Sequence, residues 1–141
     1  MNLPDKSLAY ALLRIAFGVN FAGHGFIRIA NGLGAFAHTT TEHLAKSPLP
    51  QSFVLGFAYC IPVIEALLGL GLIFGALTRL ALIFGAVFMM ALTAGVTSNQ
   101  QWDVVGQQLL YSVVFFLLLF FREHNALAID TITRRSAQPV P

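Results

Sequence analysis

Four stretches of the chain are almost continuously apolar: 8–29, 54–74, 80–97 and 104–121. The hydrocarbon core of a bilayer takes roughly 20 mainly apolar helical residues, with about 17 to 25 tolerated, so each stretch is long enough to cross it. The second and third are separated only by the short turn 75–79. The third and fourth are separated by the polar segment 98–103, in which Trp102 suits the headgroup belt. The longest connection is 31–52. There Thr39 and Glu42 have the spacing of a capping box, Phe36, Ala37 and Leu44 offer apolar contacts, and Pro48 and Pro50 stop any helix before the second span. The pattern predicts a short helix lying on or dipping into the outer membrane face. The expected architecture is all-α: an antiparallel, integral membrane four-helix bundle, with an interfacial helix between spans 1 and 2, forming one domain over 1–141.

Composition sharpens this. Hydrophobic residues make up 57% of the chain and charged residues 10%, whereas a soluble domain carries about 25% charge. A water-exposed bundle would need charge on its outer faces, and 80–97 contains none. The net charge of +2 is small and scattered, which excludes nucleic acid as a partner. Cys60 is the only cysteine, so one chain can form neither a disulfide nor a C-x-x-C redox pair nor a thiolate zinc site. No metal site is expected. The first apolar run is too long for a cleavable signal and is interrupted by Arg14, Asn20 and His24, so it is expected to be retained. Lys6, Arg79, Arg122, Arg134 and Arg135 fall on the side of the termini, against Lys46 and Arg28 opposite. The positive-inside rule therefore predicts cytoplasmic termini in a bacterial-type inner (plasma) membrane.

Polar residues inside the apolar runs carry the candidate chemistry. A charge near mid-bilayer costs at least about 2.5 to 3.5 kcal/mol, so such groups face the bundle and find partners. Arg14, Asn20, His24 and Arg28 fall within an arc of about 120° on the first helix, giving it one polar face. Gly18, Gly25 and Gly32 lie close to that face, and Gly71-x-x-x-Gly75 in the second run is a small-residue packing pattern. Glu65 lies midway along the second run, one turn after Pro62, where a kink and an unpaired Ala58 carbonyl are expected. If the first two spans are level, Arg14 and Glu65 differ in depth by about 7 Å and form an ion pair. That pair either locks two helices together or floors a polar cavity. His24, Gln107, Gln108 and Tyr111 are expected in one layer above Glu65. His24 serves there either as an interhelical hydrogen-bonding group or as a proton-handling one. No second histidine sits at matching depth for haem ligation.

The residues Leu13-Arg14-Ile15-x-x-Gly18, His24-Gly25-Phe26-x-Arg28, Pro62-x-x-Glu65-x-x-x-Gly69 and Leu72-x-x-Gly75-x-x-Thr78-Arg79 stand in order along the chain. Leu127-Ala128-Ile129-Asp130 and Arg134-Arg135 follow. Together they resemble the DoxX family of small four-helix membrane proteins, over roughly 8–135. The chain departs from the family pattern at Arg122-Glu123-His124-Asn125, where a glycine-rich turn is usual, and at Arg28, where lysine is commoner. The family includes the small subunit of thiosulfate:quinone oxidoreductase, and other members look like accessory or assembly proteins of oxidoreductases. The resemblance therefore implies a quinone-linked or redox-supporting membrane role.

His24 and Glu65 are the candidate catalytic residues, and Arg14, Asn20, Gln107, Gln108 and Tyr111 the candidate ligand-binding ones. Arg79 is expected to be structural, in the cytoplasmic turn. No covalent cofactor is expected, and a quinone is the candidate ligand. Candidate partners are the lipid bilayer, a redox enzyme subunit and a second copy of the chain. Whether the chain is itself an enzyme stays open against a non-enzymatic anchor or assembly protein, or a small transporter or lipid-binding protein.

Overall fold

The computed structural model describes residues 3–136, with side chains as far as Thr133; the side chains of Arg134 and Arg135 lie outside the described set. Six α-helices follow one another: α1 Asp5–Ala30, α2 Leu33–His43, α3 Gln51–Phe74, α4 Thr78–Ser98, α5 Trp102–Phe120 and α6 Ile129–Ser136. A 3-10 turn, Arg122–His124, leads out of α5. No strand occurs among the described residues. By length and composition α3, α4 and α5 are apolar enough to cross a membrane, with mean hydropathies of 2.1, 2.2 and 1.7. At 26 residues α1 is longer than any of them. Its polar face of Arg14, Asn20, His24 and Arg28 keeps it out of that set. The outward faces are apolar throughout: Leu12, Val19, Leu67, Val87, Leu110 and Phe116 are all more than half exposed. This is the inverse of a water-soluble bundle.

The helix between the first two long runs forms, but it does not start at the expected capping box. Gly32, at φ 100°, turns the chain so that α2 begins at Leu33. A side chain with a Cβ rarely adopts that conformation. Thr39 and Glu42 therefore fall inside α2 rather than at its start, and the start has no side-chain cap.

The core is arranged around α3. On one side α1 lies against it at backbone distance. A Cβ built on Gly69 would come within 2.2 Å of the Ala22 nitrogen, one on Gly25 within 2.4 Å of the Ala66 nitrogen, and one on Gly18 within 2.8 Å of the Ile73 nitrogen. Only glycine allows this approach. Of the glycines singled out in α3, Gly71 makes no such contact, and Gly75 instead ends the helix in the left-handed conformation at φ 64°. On the other side α4 packs along α5, where the Phe115 ring lies on Gly85. Phe17, Phe21, Phe115, Leu68, Leu72 and Leu82 fill the centre. α3 runs unbroken through Pro62.

The glycine contacts set the register of α1 on α3, and the register overturns the expected Arg14–Glu65 pair. Gly25 faces Ala66, the neighbour of Glu65, whereas Arg14 reaches Gly75, about 15 Å further along α3. Glu65 pairs with Arg28 instead. Level spans do not hold here because α1 is shifted along α3 to where Gly18, Gly25 and Gly69 allow the two backbones to touch.

Candidate functional site

The two ends of the bundle hold different polar groups. At the α6 end Arg14 is buried, at 1% exposure. Its guanidinium donates to Asn125 Oδ1, to the Leu127 carbonyl at 2.6 Å, and at 3.5 Å to the Ile73 carbonyl. Asn125 in turn donates to Thr78 Oγ1 at 3.1 Å. Asp130 accepts from the Leu77 and Thr78 backbone N–H groups, both at 2.7 Å, and so caps the start of α4. Leu77 itself sits at φ 49°, a conformation costly for a residue with a Cβ and one that the Asp130 carboxylate helps to hold. The segment after α5 thus closes this end of the bundle.

At the α2 end the helices diverge around a cavity of about 440 Å³, which α1, α2, α3, α4 and α5 all line. Its floor is an aromatic cluster. Phe17, Phe21, Tyr111 and Phe115 meet with ring centroids 4.9 to 5.8 Å apart, in the tilted and edge-on geometries that such rings prefer. Above it the Tyr111 hydroxyl donates to Asn20 Oδ1 at 3.1 Å. His24, Glu65, Arg28, Gln107 and Gln108 line the next levels. Glu65 is buried, and both of its oxygens accept from Arg28 Nη1. The Arg28 guanidinium also lies 4.7 Å from the centre of the Phe36 ring, a cation–π contact that ties α2 to the pair. Gln108 Oε1 is buried and has no hydrogen-bond partner among the described residues. The rest of the wall is apolar, including Phe53, Phe57, Ile61, Met89 and Leu92. Over the top, Asn99 Nδ2 and Gln101 Nε2 donate to the His43 carbonyl at 2.6 and 3.2 Å, fastening the end of α2 to the α4–α5 turn.

Of the residues marked in the sequence, the structure gathers Asn20, His24, Glu65, Gln107, Gln108 and Tyr111 around this one cavity. Arg14 is not among them. It belongs to the closed end, where Asn125 and backbone carbonyls accept from its two Nη groups and its buried Nε has no partner among the described residues, so it does not serve the cavity as the sequence had suggested. Arg79 is exposed in a separate hollow at the α6 end. Arg28, Phe36, Thr40 and His43 also line the cavity. Arg28 had a visible signal, one turn after His24 on the same polar arc; Phe36 was marked only as an apolar contact and Thr40 and His43 had no signal, because their placement depends on the turn at Gly32. Among the described residues no group of three or more His, Cys, Asp or Glu side chains is placed to hold a metal ion.

The fold and the cavity define a class: a small multi-helix membrane protein with a largely apolar pocket between its helices that carries a few polar side chains. More particularly, the chain belongs to the DoxX family, whose model matches residues 9–98, from α1 to the end of α4. Gln107, Gln108, Tyr111 and the Asp130 cap lie beyond the matched part. Comparison with curated proteins and with solved structures returned no match.

Proposed function

We propose that this protein crosses the membrane four times, with α1 as the remaining span, and that its cavity binds a lipophilic molecule with a polar head, a quinone being the class that fits. Taking up the charges of Arg14, at the closed end, and of Arg28, against Glu65, is what makes α1 tolerable as a span. Both chain ends then lie on the cytoplasmic side of the inner membrane, where Lys6, Arg79 and Arg122 cluster. A reporter fused at Pro141 or after Arg79 reports cytoplasm, and one near Lys46 or Asn99 reports periplasm. A periplasmic C-terminus rejects this topology.

The buried, unpartnered Gln108 Oε1 on the wall of a largely apolar cavity carries the ligand reading. A buried polar atom left unmade costs about 1 to 3 kcal/mol, and a donor on a bound headgroup recovers that. Asn20 and Gln107 add carbonyl and amide groups suited to a ring oxygen. Glu65 is engaged by Arg28, so His24 is the side chain that exchanges a proton with the head, and the Arg28–Glu65 pair holds the site's charge in place. The phenylalanines on α3 accept the tail. On this reading the chain is a quinone-linked, redox-supporting membrane subunit.

The same exposed strip supports a second reading. Asn20, His24 and Gln107 are exposed where α1 and α5 diverge, and uncovered polar groups at hydrocarbon depth are costly. A partner subunit seated there, with the chain as its anchor or assembly factor, also covers them. Titration with a short-chain quinone separates the two. Trp102 is the only tryptophan, and its neighbours Gln101 and Val104 line the cavity. The ligand reading expects saturable quenching at Trp102, lost in His24→Gln although that variant inserts and melts normally. No quenching in the wild type, together with no co-purified quinone, rejects it in favour of the partner reading.

A further inference from the structure

The closed end of the bundle carries a second hollow, of about 430 Å³, between the α3–α4 turn, the end of α5 and α6. Arg79 and Arg122 both line it. Among the described residues neither guanidinium makes a hydrogen bond or an ion pair, whereas Arg14 donates to Asn125 and Leu127 and Arg28 pairs with Glu65. Two cations facing one hollow repel each other, and an anion between them reverses the sign of that interaction. The one carboxylate in the lining, Asp130, accepts from the Leu77 and Thr78 amides. Both of its oxygens are thus occupied at the helix start, and no ion pair joins it to Arg79 or Arg122 among the described residues. The next amides of α4, those of Arg79 and Leu80, belong to the first turn and have no carbonyl to bond within the helix. They add to the positive potential. The rim is apolar, with Leu77 and Leu80 68% and 63% exposed.

We propose that Arg79 and Arg122 hold a phosphate group in this hollow. Arginine's planar fork matches phosphate oxygens two at a time, which suits both residues to it. The group comes either from an anionic phospholipid or from free phosphate, and the exposed Leu77 and Leu80 beside the arginines fit acyl chains. The site is independent of the cavity at the other end and of whatever binds there.

The test uses the full chain in a neutral detergent and phosphate-free buffer, with melting followed on addition of phosphatidylglycerol, phosphatidylcholine or inorganic phosphate. Phosphatidylglycerol is expected to protect saturably, and phosphatidylcholine, whose choline cation opposes the arginines, much less. Arg79→Gln with Arg122→Gln weakens the apparent affinity about 25-fold, at about five-fold per basic residue. The corresponding double lysine variant, which keeps the charge but loses the fork, falls between the wild type and the double glutamine variant. Lys6→Gln, which removes the same charge outside the hollow, leaves it unchanged. Protection by inorganic phosphate equal to that by the lipid assigns the site to free phosphate. Equal protection by phosphatidylcholine, no saturable protection by any of the three, or the same response in the double glutamine variant overturns the proposal. Should that variant fold poorly, lipid retention counted by native mass spectrometry on Arg79→Gln decides, and undiminished phosphatidylglycerol refutes the site.

Discussion

The two ends of this bundle use the same residue type for opposite purposes. Arg14 and Arg28 lie on one face of α1, yet Arg14 is sealed among carbonyl acceptors from Ile73 and Leu127 and the Asn125 side chain, while Arg28 pairs with Glu65 beside an open cavity. At the closed end the chain returns after α5 and fills the space between α1, α3 and α4. At the α2 end nothing returns, and α2 only spans the gap. A buried charge surrounded by fixed dipoles is structural. One held against a counter-charge on a cavity wall stays available to a ligand.

The sharpest way to break this comparison is Arg14→Leu. It strands the Asn125 and Leu127 acceptors and unfastens the post-α5 segment. At about 1 to 3 kcal/mol for each buried group left unpaired, a loss of about 4 kcal/mol is expected. Detergent melting should fall markedly while ligand titration of the surviving protein stays normal. A selective loss of ligand affinity would return Arg14 to the cavity.

Next in size is the Arg28–Glu65 cycle. Arg28→Leu leaves Glu65 buried without its cation. The expected cost is about 2 to 3 kcal/mol, below the usual range for a fully buried pair because the Arg28 side chain is 30% exposed. Arg28→Leu with Glu65→Leu should recover part of that loss, whereas Arg14→Leu with Glu65→Leu should be additive. Coupling in the second cycle and not in the first would overturn the register of α1 on α3.

A smaller effect is expected from Asp130→Ala, which uncaps α4 and releases the strained turn at Leu77. Loss of such a cap costs about 1 to 2 kcal/mol. Hydrogen exchange should quicken at the first turn of α4 and leave α2 unchanged. Faster exchange at both ends would mean that they are not independent. Smallest is His24→Gln. His24 is exposed and makes no hydrogen bond among the described residues, so its melting should shift by less than about 0.5 kcal/mol.

Much of the cavity was legible from periodicity, because the polar arc of α1 and the Gln107, Gln108 and Tyr111 face of α5 are local patterns and both helices are long. What could not be read was which level of α1 faces which level of α3. A sliding error of about one and a half turns changes no local preference, yet it exchanges the partner of Glu65.

The apolar runs, their lengths and their near absence of charge determine by themselves that this protein is helical and carries membrane-spanning segments, since backbone groups in hydrocarbon must be satisfied within the helix. The same residues decide which side chains are out of place there. The tertiary structure alone decided the rest. Gly18, Gly25 and Gly69 let two backbones touch at one register only, so Arg28 rather than Arg14 meets Glu65. Gly32 aims α2 over the cavity, and the chain after α5 folds back to seal the other end. Those outcomes depend on contacts between residues far apart along the chain, where sequence spacing carries no information about approach.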